Sequence, residues 1–71
     1  MRIDKWLFYA RFFKTRNKAI TAINKGLIFL NGCQVKKQSQ LIKLGDGMII
    51  KRSNDILHIN VTNFGTKREN Y

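Results

Sequence analysis

The sequence has few of the residues from which metal sites, disulfides and acid–base active sites are built. Its 71 residues include one cysteine, one histidine and four acidic residues. A single cysteine, Cys33, excludes an intrachain disulfide framework and is typical of a reducing compartment. Cys33 and His58 cannot supply the four ligands of a structural zinc site, and the acidic residues show no paired-carboxylate spacing. We therefore expect no metal, no cofactor and no catalytic activity.

Long apolar stretches are also missing. Runs such as residues 27–30 and 48–50 fall far short of the roughly 20 residues that cross a bilayer. Asp4 and Lys5 interrupt the apolar residues near the N-terminus, which argues against a secretory signal peptide. A hydrophobic fraction of 44% argues against disorder for most of the chain. A chain of this length forms one domain that buries roughly 60% of its unfolded surface. We expect a cytoplasmic protein that does not associate with membranes.

Positive charge is what the sequence has in excess. Fourteen lysines and arginines stand against four acids, and the formal net charge is +10. Cations lie among aromatic residues in the first 16 positions. Clustered cations on a small domain are typical of nucleic-acid binding. The alternative is a charged surface that serves only solubility.

Two helices are predicted in the first third of the chain. Apolar residues at helical spacing favour a first helix over residues 3–13, with Trp6 and Phe13 in the core. Thr15 is a good N-cap for a second helix over residues 16–25, and Gly26 suits its end. Arg16 and Lys18 would lie in the first turn, where cations oppose the helix dipole. Either a bound phosphate offsets this cost or the two side chains extend into water.

The rest of the sequence predicts short strands separated by turns. Asn31-Gly32 is a strong hairpin signal because both residues tolerate a positive φ, and Gly45-Asp46-Gly47 is a second turn. The predicted strands are residues 27–30, 33–35, 48–51 and 56–61. We expect an α+β fold in which two packed helices lie against a small, curved, mostly antiparallel sheet of four or five strands. Residues 1–61 would form the single domain and residues 62–71 a flexible polar tail.

The order of these features over residues 1–51 resembles the RNA-binding domain family named after ribosomal small-subunit protein four. The resemblance depends on Arg2-Ile3-Asp4-Lys5-Trp6-Leu7, on Thr15-Arg16 with Ala19, and on Gly26-Leu27-Ile28-Phe29-Leu30-Asn31-Gly32. Val35, Lys36, Ser39, Ile42, Gly45 and Asp46 complete the pattern. Residues 1–16 are most similar to the branch of bacterial ribosome-associated heat-shock proteins of fifteen kilodaltons.

The resemblance implies an alpha-L RNA-binding fold with one basic face that follows an RNA backbone. The positions that match this face are Lys5, Arg11, Lys14, Thr15, Arg16, Lys18, Gln34, Lys36 and Lys37. The branch implies a protein that binds ribosomal RNA of the large subunit, and with it peptidyl-tRNA, in the rescue of stalled translation complexes. We also expect the protein to be a monomer. Two other functions stay open: the RNA-targeting module of an rRNA pseudouridine synthase or methyltransferase, and a nonspecific DNA-binding protein.

Some positions depart from the pattern of the branch. Gln38 stands where a proline is usual, Phe29 stands where a charged residue is frequent, and the basic C-terminal extension is missing. Phe29 should point away from its strand neighbours, where it either stacks on bases or packs under the C-terminal segment. Tyr9 and Phe12 are further candidates for base stacking, and Cys33 is expected to be a small apolar filler.

Overall fold

A computed structural model describes residues 1–64 of the chain, which form two helices followed by four strands. The helices are α1 (Ile3–Tyr9) and α2 (Arg16–Asn24), and the strands are β1 (Ile28–Leu30), β2 (Cys33–Gln34), β3 (Gly47–Lys51) and β4 (Ile56–Asn60). The strands form one sheet in the order β2-β1-β3-β4, and every neighbouring pair is antiparallel. The predicted α+β class, with two helices and a small antiparallel sheet, is confirmed.

Helix α1 is shorter than the sequence predicts. It ends at Tyr9, and Arg11 has a left-handed backbone with φ of 67°. The N–H of Arg11 donates to the carbonyl of Phe8 (3.0 Å) and the N–H of Phe12 to that of Leu7 (3.1 Å). These two bonds form a Schellman motif, which turns the chain out of the helix. The turn places the Phe12 ring 5.7 Å from that of Trp6, so the apolar residues beyond Tyr9 reach the core without continuing the helix.

Helix α2 matches its prediction within one residue at either end. Thr15 caps it through a hydroxyl that accepts the N–H of Lys18 (3.1 Å). At the other end, the N–H of Gly26 donates to Ile23 and the N–H of Leu27 to Ala22, which is a second Schellman motif. Gly26 occupies its left-handed position with φ of 77°. The predicted cap and the predicted glycine stop are both confirmed.

The core lies between the helices and one face of the sheet. Ile3 and Leu7 from α1, Ile23 from α2 and Ile28 from β1 are almost fully buried in one cluster. Trp6 belongs to this cluster as predicted, whereas Phe13 is half-buried and packs against its edge. In β3 the buried side chains of Met48 and Ile50 alternate with less buried neighbours, as expected of a sheet with one buried face. In β1, Ile28 is buried and Leu30 packs against the core.

Two turns are joined at one end of the sheet by the side chain of Asn31. Asn31 and Gly32 both have positive φ (49° and 85°), which confirms the predicted hairpin turn. The Asn31 side chain donates to the carboxylate of Asp46 (3.1 Å) and accepts the N–H of Gly47 (2.9 Å). The Asp46 carboxylate also accepts the N–H of Lys43 (2.8 Å). The hairpin between β1 and β2 is therefore tied to the turn that precedes β3.

The chain returns to helix α1 after the last strand. Val61 is buried, the indole N–H of Trp6 donates to the carbonyl of Asn63 (2.8 Å), and Phe64 packs against the core. The first three residues of the predicted tail, 62–64, thus include two that contact the domain. Residues 65–71 of that tail lie outside the described part of the chain.

Candidate nucleic-acid interface

The acidic side chains of residues 1–64 are engaged in specific contacts. Asp4 and Asp46 are buried, and Asp55 forms an ion pair with Arg52 whose nitrogen and oxygen atoms lie 2.7 Å apart. These are the three acidic residues of the described sequence. Since two of them are buried, the charge that residues 1–64 present to solvent is almost entirely positive. Such a surface attracts a polyanion over a distance limited by salt screening.

Most of the predicted contact residues lie on α1, on α2 and in the turn between them. Lys5 is half-buried on α1 with its ammonium group 6.0 Å from the centroid of the Tyr9 ring. Among the predicted contact residues of the turn and of the start of α2, only Arg16 is half-buried and the others are exposed: they are Arg11, Lys14, Thr15, Arg16 and Lys18. The α1–α2 turn therefore concentrates cations next to the capped start of α2.

Arg16 is held by a buried carboxylate. Its Nε and Nη2 atoms lie 3.3 and 3.2 Å from Oδ2 of Asp4, which is fully buried. The two explanations that the sequence leaves open for a cation in this first turn were a phosphate and free extension into water. The structure shows a different arrangement for Arg16, because the negative charge of Asp4 offsets the positive charge of its guanidinium group. Lys18 is exposed, so either explanation still applies there.

Arg2 is a cation of this region that the sequence-based site does not include. Its Nη2 lies 3.1 Å from the same Asp4 oxygen, and its side chain keeps 39% of its exposure. The sequence signal was its place in the basic N-terminal stretch. Only the folded arrangement shows that it lies beside Arg16, 14 positions further along the chain.

The remaining predicted contacts lie near the other end of α2. The amide of Gln34 donates to the carbonyl of Gly26 (3.1 Å), so Gln34 has a structural role whether or not it also touches RNA. Gln34, Lys25 and Lys36 line a shallow cleft beside the last turn of α2. Lys36 and Lys37 are both exposed. Helix α2 has nine residues and is therefore about 13 Å long, and the two groups of contact residues lie near its opposite ends.

The outer face of the sheet carries a different set of side chains. Phe29 is half-buried, pairs across the strands with Ile49 and Gln34, and has the ammonium group of Lys51 at 4.8 Å from its ring centroid. It points away from Ile28 and Leu30, as predicted. The described C-terminal residues 61–64 contact the helix side at Trp6. Among the described residues, the observed ring contact of Phe29 is thus a cation–π contact with Lys51.

The structure can also be compared with the predictions about Cys33, about metal ligands and about membrane spans. Cys33 is exposed in β2, so its interpretation as an apolar filler is wrong, because the hairpin end of the short strand is open to solvent. Within residues 1–64 no group of three His, Cys, Asp or Glu side chains is close enough to hold a metal ion. No helix in the same part of the chain has the length and apolarity of a membrane span.

This geometry, two packed helices on a four-stranded sheet with exposed cations in the turn between the helices, is that of a known class of RNA-binding domain. Residues 1–47 match the S4 domain family. Since this match covers more than half of the chain, the protein belongs to the S4 domain family.

Comparison with individual proteins shows which members of the S4 domain family the chain is similar to. The chain is 40% identical over 55 residues to heat shock protein 15 of Escherichia coli K12, which covers 78% of this chain and 41% of that protein. It is 32% identical over 68 residues to the homologue from Haemophilus influenzae, covering 96% and 51%. It is also 33% identical over 63 residues to the RQC P-site tRNA stabilizing factor of Halalkalibacterium halodurans, covering 89% and 70%. The chain thus spans about half or less of the matched heat shock proteins.

A solved structure confirms the fold. The trimeric structure of Vibrio cholerae heat shock protein 15 superposes with a TM-score of 0.90 at 31% identity, covering 99% of this chain and 70% of that one. The resemblance inferred from the residues, to the domain family and to its heat-shock branch, is therefore confirmed.

Proposed function

We propose that this protein binds structured ribosomal RNA of the large subunit through the α1–α2 turn and the Lys36-Lys37 segment. The observation that carries the proposal is the distribution of charge. Two of the three acidic side chains in residues 1–64 are buried, while the cations of the turn and of the loop after β2 are exposed. Phosphate contacts supply most of the affinity of such a surface, and the shape of the RNA supplies much of the selectivity.

Arg11 supports a binding role for the turn. It occupies the left-handed position of a Schellman motif, which usually belongs to glycine. A non-glycine residue there costs about 1 kcal/mol or more of stability. Arginine has the planar group that holds a phosphate with two hydrogen bonds. The backbone cost at Arg11 is therefore accompanied by a group suited to phosphate in an exposed position of the turn.

The names of the relatives support a place in translation. One of them is named as a factor that stabilises a P-site tRNA, and the others as heat shock proteins. None of these names is that of an enzyme. We propose that the present protein acts in the cytoplasm, as a monomer, in the rescue or recycling of stalled translation complexes, where it would lie close to tRNA on the large subunit.

Co-sedimentation with ribosomal particles tests this function. We expect the protein to co-sediment with free large subunits more than with small subunits or intact ribosomes. The variant Lys18→Ala/Lys36→Ala should bind less, because it lacks one cation from each group of contact residues. A matched control, Lys43→Ala/Lys51→Ala, loses the same charge at positions outside the predicted contacts and should bind like the wild type.

The outcomes separate the remaining alternatives. Equal sedimentation with all particles would contradict the assignment to the large subunit. Binding to naked ribosomal RNA without binding to subunits would favour the RNA-targeting module of a modification enzyme. Equal affinity for duplex DNA would favour nonspecific nucleic-acid binding. Equilibrium sedimentation of the protein alone would show whether it is a monomer.

A further inference from the structure

One buried carboxylate of the molecule, that of Asp4, holds two arginine side chains. Asp4 lies in the first turn of α1 and is fully buried. Its Oδ2 accepts from Nη2 of Arg2 (3.1 Å) and from Nη2 and Nε of Arg16 (3.2 and 3.3 Å). Its Oδ1 accepts the backbone N–H of Lys5 (2.8 Å). Because both arginines bind the same oxygen, their guanidinium groups are held side by side.

The two arginines retain donors for a second partner. Their side chains are 39% and 42% exposed, whereas the carboxylate between them is not exposed at all. A guanidinium group has five N–H donors; Asp4 takes one from Arg2 and two from Arg16, and the Nε of Arg2 is buried without a partner among residues 1–64, which leaves three donors on each arginine. Two positive charges against one negative charge also leave a net positive charge. The cluster can therefore accept an anion from the solvent side while Asp4 holds it from the protein side.

We propose that Asp4 is a positioning residue that orders Arg2 and Arg16 into one preformed binding site for a phosphodiester group of structured RNA. The inference rests on the proposed RNA-binding function and adds Arg2 to the contact residues. An arginine whose fork is already oriented loses less conformational freedom when it binds a phosphate. The buried acid therefore strengthens the binding of a polyanion, although its own charge repels that polyanion.

Whether the loss of the Asp4 charge strengthens or weakens RNA binding distinguishes positioning of the arginines from simple charge attraction. Asp4→Asn keeps the shape of the side chain and raises the net charge by one unit. If only the total charge mattered, the variant would bind a labelled RNA stem-loop as tightly as the wild type or more tightly. Positioning predicts binding weaker by about tenfold, since two side chains must then be ordered by the RNA itself.

A matched control is available in the same chain. Asp55→Asn produces the same change in net charge and also releases an arginine, Arg52, but at the exposed turn between β3 and β4. We expect its affinity for the stem-loop to equal that of the wild type or to exceed it slightly. Circular dichroism at the temperature of the binding assay establishes that each variant is folded.

Charge-conserving variants test the inference independently of Asp4, whose loss leaves buried polar groups unpaired. Arg2→Lys and Arg16→Lys keep the charge but lose the fork, so each should weaken binding by about threefold to tenfold without altering the salt dependence. Arg52→Lys is the control and should have no effect. In the Asp4→Asn background, Arg16→Lys should cost little more, because the orientation is already lost.

The results separate failure of this inference from failure of the function on which it rests. If the wild type binds the stem-loop but Asp4→Asn binds equally or more tightly, or if both lysine variants bind normally, Asp4 has no positioning role. If the wild type binds neither the stem-loop nor ribosomal RNA, the proposed function is wrong, and the proposed phosphate site, which depends on that function, is then wrong as well.

Discussion

At the scale of single residues, Asp46 shows how one carboxylate stabilises two turns. It accepts hydrogen bonds from the amide of Asn31 and from the backbone N–H of Lys43, and both bonds lower its pKa below the usual value of 3.8. The bond from Asn31 has the larger effect. Because the carboxylate is more acidic in the folded protein, the folded state binds fewer protons than the unfolded state near this pH. Asp46 therefore stabilises the fold above its unfolded pKa, and the stabilisation is lost as the pH falls through the lower, folded pKa.

We predict that the free energy of unfolding of the wild type decreases below about pH 4, and that Asp46→Asn makes this decrease shallower. Urea unfolding followed by Trp6 fluorescence, repeated from about pH 5 to about pH 2.5, measures both slopes. Asp55→Asn is the comparison, because the pKa of Asp55 is also lowered, by the hydrogen bond from Arg52. The Arg52–Asp55 pair is exposed, so Asp55 should contribute less than Asp46 to the decrease in the free energy of unfolding at low pH. If the free energy of unfolding decreased equally with falling pH in the wild type and in Asp46→Asn, the stabilising role of the Asp46 carboxylate would be contradicted.

At the scale of elements, both helices end in the same motif with different residues at its left-handed position. Helix α2 has Gly26 there, with φ of 77°, and α1 has Arg11, with φ of 67°. Glycine adopts this backbone without strain because it has no Cβ. A side chain at Gly26 would also collide with the amide of Gln34, whereas Arg11 is exposed. The first helix is therefore the one whose left-handed position carries backbone strain.

We predict that Arg11→Gly is more stable than Arg11→Ala by about 1 kcal/mol. Both variants lose the same charged group, so the difference between them reports the backbone strain, reduced by the larger unfolded-state entropy of glycine. Thermal and urea unfolding measure the difference, and binding to a labelled RNA stem-loop should weaken to the same extent in both. Equal stability of the two variants would show that Arg11 is not strained.

The two helices also show what can be predicted from sequence here. Local signals gave α2, its cap and its stop correctly, because Thr15 and Gly26 act on residues within the same turn. The end of α1 was missed because Phe12 and Phe13 continue the apolar pattern, while the chain leaves the helix at an arginine rather than at a glycine. The contact between Asp4 and Arg16 was missed because it joins two helices across 12 positions. The assignment of individual RNA contacts came from the resemblance and is still a prediction.

At the scale of the whole molecule, the burial of acids separates the two signs of charge. In residues 1–64, Asp4 and Asp46 are buried, where they contact arginines and turns, and the exposed charge is mostly that of lysine and arginine. A surface of this kind binds RNA with release of counterions, so its affinity depends strongly on salt. The dependence reports how many phosphates the protein contacts, and single variants report which residues contact them.

We predict that the logarithm of the affinity for ribosomal RNA falls linearly with the logarithm of salt concentration. Arg16→Ala should reduce the slope by about one ion, because it removes one phosphate contact. Lys51→Ala removes an equal charge from the outer face of the sheet and should leave the slope unchanged. Fluorescence anisotropy over a salt series measures all three slopes. A wild-type slope near zero would contradict binding driven by phosphates.

The exposed thiol in strand β2 also has a practical consequence. Cys33 is the single cysteine of the chain and precedes Gln34, whose side chain reaches the cleft at the end of α2. A maleimide that carries a photoreactive benzophenone would attach at one position, without any mutation. Irradiation within purified ribosomal particles would then mark the nucleotides beside the hairpin and orient the domain on its target.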